Sequence, residues 1–130
     1  MFQLDTKSRR TIYQQVVDNV KELILSGVLK EEEQLPSVRE LSKLLTVNPN
    51  TVLKAYRELE YEGYVYSTVG QGTFVQKRQK GKVDEELLFN GRQSLENGIK
   101  ELLYAGLSEE DTLKEVNIIL EKFRKGTGSK

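Results

Sequence analysis

Cysteine, histidine and tryptophan are absent from this 130-residue chain, which also has two prolines and one methionine. Without cysteine there is no disulfide framework and no thiolate nucleophile, and without histidine as well an ordinary zinc site cannot be assembled. The commonest general base is missing, and no carboxylate pair is placed beside a nucleophile, so neither catalytic residues nor a metal or cofactor is expected. No signal peptide or bilayer-spanning apolar run is found, which predicts a cytoplasmic protein with no membrane partner. Net charge is absent too, since twenty Lys and Arg balance twenty Asp and Glu. The balance is uneven along the chain. The first 82 residues hold thirteen basic and ten acidic side chains and the remainder seven and ten, a mild bias that favours an anionic partner at the front.

What is present centres on Leu35 to Gly63. Ser37 and Glu40 form an S-x-x-E capping box ahead of Leu41, Leu44 and Leu45, with Val38 on the same side, which predicts a short helix. Asn48 can cap a second helix that Pro49 opens, over 49–62, and Gly63 is placed to stop it. Val52, Ala55, Tyr56 and Leu59 recur at the spacing of a buried stripe. Asn50, Leu53, Lys54, Arg57 and Tyr61 fall on the other side. Two capped helices joined by a short turn, the second with a polar outer edge, have the layout of a helix-turn-helix. An amide for adenine, cations for guanine edges or phosphates, and an apolar group for the thymine methyl are what such an outer edge needs to read DNA. Arg39 sits in a first turn where its charge opposes the helix dipole, so an external anion or base edge accounts for it better than local stability.

Around this motif the remaining elements follow from pattern. Residues 1–10 lack a period and are expected to form a loose arm. Ile12, Val16, Val20 and Ile24, flanked by Tyr13, Val17 and Leu23, predict a scaffold helix ending before Gly27. Residues 28–34 are expected to be a loop. Its consecutive Glu31, Glu32 and Glu33 do not converge on a point, so a solvated turn is favoured over a metal site. After Gly63, Tyr64 to Val69 and Thr73 to Val75 flank Gly70, Gln71 and Gly72, which reads as a hairpin of 64–76 whose glycines allow close approach to a nucleic-acid backbone. A purely structural hairpin has the same pattern.

Residues 77–83 are read as a basic linker and 84–125 as a helical pair. Leu88, Leu95, Ile99, Leu102 and Leu103 make one stripe, and Leu113, Val116, Leu120 and Phe123, with Ile119, make the other. So short a pair cannot bury both stripes within itself, so those residues are assigned to dimerisation, with packing on the front domain as the alternative. Residues 126–130 are expected to be disordered. The fold class is therefore mainly α with a small β-hairpin: an N-terminal winged helix-turn-helix over 1–76 and a two-helix C-terminal dimerisation segment.

In its joint spacing the chain resembles the GntR family of bacterial transcriptional regulators, and within it the YtrA-like subfamily. The words that match are Ile12-Tyr13-Gln14-Gln15, Gly27-Val28-Leu29, Leu35-Pro36-Ser37-Val38-Arg39-Glu40-Leu41, Asn48-Pro49-Asn50-Thr51-Val52, Ala55-Tyr56, Leu59-Glu60 with Glu62-Gly63, and Gly70-Gln71-Gly72-Thr73-Phe74-Val75. A weaker match is Ala105-Gly106-Leu107-Ser108-Glu109-Glu110. Glu32 and Thr46 stand where the family commonly has glycine, which puts two turns in question.

The resemblance implies double-stranded DNA as partner, bound as a homodimer at an inverted-repeat operator. Ser37 would touch phosphate, Arg39 a guanine edge or phosphate, and Asn48, Asn50, Thr51 and Lys54 would lie at the major groove. Gly70, Gln71, Gly72 and Thr73 would form the wing contact. The residues themselves add Leu53 as an apolar contact and Arg57 as a phosphate ligand, and they assign Tyr56, Leu59 and Phe74 to the core. A small-molecule effector is left open: a deep pocket within one chain is not expected, though the dimer interface could form one. The competing reading is a winged-helix module for protein contacts with no DNA target, using Leu53 and Tyr61 as its docking surface.

Overall fold

The computed structural model describes residues 2–78 and 81–124. Its elements are α1 (Ile12–Leu25), α2 (Val38–Leu45), α3 (Pro49–Tyr61), β1 (Val65–Thr68), β2 (Gly72–Val75), α4 (Glu85–Tyr104) and α5 (Glu109–Glu121). They divide into two compact units, one built from α1 to β2 and the other from α4 and α5. The fold is thus mainly α with a small hairpin, as the sequence pattern predicts. The segment 126–130 and part of 77–83 lie outside the described residues.

The first unit is an aliphatic core with helices on its outside. Val16, Val17, Val20 and Ile24 of α1 meet Val52, Ala55, Tyr56 and Leu59 of α3, and Leu29, Leu35, Leu41, Val65 and Val75 close the cluster. Full burial of such a side chain stabilises by about 1.5–3 kcal/mol, so these thirteen residues dominate the free energy of folding. Each helix starts where a side chain takes up orphan N–H groups. Thr11 and Gln14 form a capping box on α1, Ser37 and Glu40 one on α2, and the Asn48 side chain accepts from Asn50 N–H with Pro49 at the first turn of α3. Tyr56, buried in α3, donates its hydroxyl to Pro36 O at 2.7 Å, which ties α3 to the segment entering α2. Burial raises its pKa, so the phenol stays a donor.

Several local expectations are corrected. The N-terminal arm is not loose. Phe2 and Leu4 pack on the core, Asp5 N–H donates to Gln15 Oε1 at 2.7 Å, and Gln15 Nε2 returns bonds to Asp5 O and Arg10 O. Segment 28–34 is more than a loop. Glu32 N–H reaches Val75 O at 2.8 Å, Val75 N–H reaches Glu33 O, Leu35 N–H reaches Thr73 O, and Gln34 bridges Phe74. This segment therefore covers the second edge of β2, the support a two-stranded hairpin needs. Leu44 is exposed, and Ser42 is buried in its stead with its hydroxyl on Arg39 O, because an eight-residue helix turns only a narrow face inward. Phe74 is not core either. Register pairs Val65 with Val75 and Tyr66 with Phe74, and since faces alternate along a strand, the valines go inward while Phe74 stacks on Tyr66 at 5.6 Å.

In the second unit Asp84 caps α4 and Ser108 caps α5, and the two helices pack on each other. Neither buries an apolar side chain; Thr112 is the one buried residue of α5. Helix α5 stops at Glu121, so Phe123 lies beyond it rather than on its stripe.

Both departures from glycine adopt the glycine conformation. Glu32 has φ 66° and Thr46 φ 57°, and Thr46 forms the left-handed cap of α2 from which Val47 N–H reaches back to Ser42 O. A β-branched residue is strained in that region, by about 1–2 kcal/mol. Thr46→Gly should therefore raise stability by about 0.5–1 kcal/mol after the added entropy of the unfolded chain, measured as a higher urea midpoint at unchanged slope.

Candidate nucleic-acid interface

The polar face of the first unit is built by the caps that start its helices. Ser37 Oγ accepts Glu40 N–H at 3.0 Å while Glu40 Oε1 accepts Ser37 N–H at 2.8 Å. The Ser37 N–H bond, followed by the Ser37 hydroxyl, lowers the pKa of Glu40. Arg39 extends into solvent from the first turn of α2. Lys43 lies one turn further along the same exposed side of α2 and was missed in the sequence, although its i+4 spacing from Arg39 was the available signal.

On α3 the residues opposite the core are Asn50, Lys54, Arg57 and Tyr61, all exposed, with Tyr61 at 89%. Thr51 and Leu53 are half-buried on the flanks. Asn48 Oδ1 is engaged by Asn50 N–H at 2.8 Å, leaving its amide nitrogen for a ligand. Among the described residues, Arg39, Lys43, Lys54 and Arg57 form no salt bridge. Cations grouped on neighbouring helices without neutralising carboxylates are an electrostatic footprint for a polyanion.

The wing tip is Val69, Gly70 and Gln71, between the paired Thr68 and Gly72. Gly70 has φ 77° with open space about it, so conformation alone requires glycine there. Gly72 has φ 124°, and a Cβ on it would lie 2.5 Å from Gln34 Nε2, the atom that donates to Gln71 O at 2.9 Å. The glycine is thus also the space through which Gln34 braces the tip. Thr73 is half-buried with its hydroxyl 3.3 Å from Ser67 Oγ. Val69 is fully exposed.

A family model described as bacterial regulatory proteins, gntR family, matches residues 12–75. The HTH-type transcriptional repressor YtrA of Bacillus subtilis (strain 168) is 38% identical over 120 residues, which span 90% of this chain and 92% of that protein. The chain belongs to the GntR family. Its resemblance to the YtrA-like branch extends over both units. A GntR protein of this kind is a transcriptional regulator with a DNA-binding winged helix and not an enzyme. A crystal structure described as a transcriptional antiterminator from Listeria monocytogenes EGD-e superposes with a TM-score of 0.89 at 36% identity, covering 97% of this chain and 94% of that one. The DNA-binding domain of AraR in complex with operator ORX1 superposes with a TM-score of 0.51 at 30% identity, covering 55% of this chain and 89% of that one. No helix among the described residues is long and apolar enough to cross a membrane.

Beside the outer face of this GntR α3 lies a carboxylate pair. Glu58 accepts from Tyr13 OH at 3.1 Å, and Glu62 pairs with Lys21 Nζ at 2.7 Å. Glu58 has a raised pKa, chiefly from its hydrogen bond to Glu62. For Glu62, burial acts upward but is outweighed by the bonds from Glu58 and Lys21, so its pKa falls. Ionised Glu58 therefore opposes folding above its unfolded pKa, and the penalty disappears as pH falls through its raised folded value. Glu58→Gln, which mimics the protonated form, should raise the melting temperature at pH 7 by a small margin. That gain should vanish below about pH 4.5 in thermal melts run across pH.

Proposed function

We propose that this protein is a homodimeric, cytoplasmic repressor that binds an inverted-repeat operator, with 1–76 as the DNA-binding domain, 77–83 as linker and 84–125 as the dimerisation segment. The observation that carries the DNA reading is the unneutralised set Arg39, Lys54 and Arg57 on the outer sides of α2 and α3. In this reading α3 enters the major groove. Asn48, Asn50 and Thr51 meet bases or their flanking phosphates, Leu53 meets a thymine methyl, Arg39 a guanine edge, and Ser37, Lys43, Lys54 and Arg57 phosphates. Gly70, Gln71, Gly72 and Thr73 carry the wing to the adjacent groove or backbone. The operator-bound AraR domain supports this use of the fold.

The dimer reading rests on the second unit. Leu88, Leu95, Leu103, Leu113 and Leu120 are exposed, joined by Leu87, Phe89 and Ile119, while Ile99, Leu102 and Val116 are only half-buried; Phe123, expected on the same stripe, clusters with the first unit instead. Apolar surface of that extent marks an association site. Two copies would place two α3 helices on one duplex, with half-sites about 10 bp or a multiple apart.

The test is a mobility-shift titration on the promoter of the chain's own operon. Retardation should be removed by excess specific duplex and not by random DNA. Duplex RNA should not compete, since the major groove of A-form RNA is too narrow to admit α3. Arg39→Ala should keep the melting temperature and weaken specific binding by about 1–3 kcal/mol; unchanged affinity would remove Arg39 from the contact set. Leu95→Glu should convert a dimer to a monomer in light scattering and sharply reduce operator affinity. A monomeric wild type at high concentration would defeat the dimer assignment.

A further inference from the structure

Lys54, Glu58 and the C-cap residue Glu62 of α3 stand at i, i+4 and i+8, and Tyr13, Val17 and Lys21 stand at the same spacing on α1. Val17 is buried between the two polar ends of its row. The contacts run as one chain. Lys21 Nζ lies 5.0 Å over the Tyr64 ring and pairs with Glu62, Glu58 lies one turn before Glu62, whose proximity raises its pKa, Tyr13 OH donates to Glu58, and Lys54 Nζ lies 4.5 Å over the Tyr13 ring.

Lys54 is placed by sequence to pair with Glu58 one turn on, yet no such ion pair forms among the described residues. Glu58 is already engaged by the Tyr13 hydroxyl. The ammonium therefore rests on an aromatic face, attracted by the ring quadrupole with its charge unneutralised. A lysine loses most of its rotamer freedom when it docks. One already held on a ring has less to lose. Tyr13 belongs to α1, so the ammonium is drawn to the α1 flank of α3, while Asn50 and Arg57 occupy the outward side.

We infer that Tyr13 is a positioning residue for DNA recognition, its ring holding the Lys54 ammonium where it meets a backbone phosphate on the α1 side of the groove. This rests on the DNA-binding reading above. The Tyr13 hydroxyl, held by Glu58, keeps the ring in place and does not itself touch DNA. Lys54 here acts as a point charge, which suits a phosphate better than a base edge.

A double-mutant cycle on duplex DNA from the chain's own promoter tests this, using full-length Tyr13→Leu, Tyr13→Phe, Lys54→Gln and the Tyr13→Leu/Lys54→Gln pair. Tyr13→Leu should weaken binding by about threefold. Tyr13→Phe, which retains the ring, should recover most of that loss. In the Lys54→Gln background the Tyr13→Leu change should have no further effect, and Lys54→Gln should reduce the salt slope by about one. Equal loss from Tyr13→Leu in both backgrounds would mean a merely structural role and overturn the inference.

Proton NMR of the DNA-free protein supplies a readout that needs no binding. The Lys54 ε-methylene protons should be shifted upfield by the ring in wild type and Tyr13→Phe, and unshifted ε-protons in wild type would also overturn it. If wild type does not bind the duplex at all, the DNA reading fails and the inference with it. Wild-type binding with independent effects of the two substitutions defeats only the role of Tyr13.

Discussion

The packing of α3 against α1 is the constraint on which the other features depend. Val52, Ala55, Tyr56 and Leu59 are pressed against Val16, Val17, Val20 and Ile24, and burying that stripe leaves Asn50, Lys54, Arg57 and Tyr61 nowhere to go but outward. The polar face of α3 is thus a by-product of its apolar one. Because the anchoring residues recur at helical spacing, α3 cannot rotate about its axis without exposing several of them. The orientation of the outward set is fixed before any ligand arrives.

Bracing of the other parts follows from the same core. Tyr56 bonds Pro36 O, and so connects the middle of α3 to the entry of α2. Val65 and Val75 insert into the core from the hairpin, and residues 32–35 pair along the far edge of β2. The wing tip, held by Gln34 on Gln71 O, is therefore braced from outside the hairpin rather than a free flap. Glu32 takes a positive φ where it bonds β2, and Thr46 takes one in the turn between the helices. The geometry usually supplied by glycine is kept, at a local cost in strain. Backbone hydrogen bonds and burial on either side outweigh it.

The two units differ in how completely they satisfy themselves. In the first, apolar stripes are buried and cations are left over; in the second, charged pairs such as Glu96 and Lys100 are only loosely paired and leucines are left over. What each leaves unsatisfied corresponds to its proposed partner, a polyanion for the first and a second copy of the chain for the second.

Helix periodicity, caps and stops were legible in the residue order because they are local. Ser37 and Asn48 each cap through atoms two or three residues away, and the 3.6-residue repeat declares which face is apolar. The motif words from Ile12 to Val75 likewise indicated the GntR family. Only tertiary structure decided which apolar residues reach the core, since Leu44 and Phe74 carry the right side chains but on faces turned away by helix length and strand register. It alone revealed the pinned N-terminal arm, the extra edge on β2 and the seat of Lys54 on Tyr13, because each joins residues far apart in the chain. Such contacts depend on the docking of whole elements, and no local propensity encodes them.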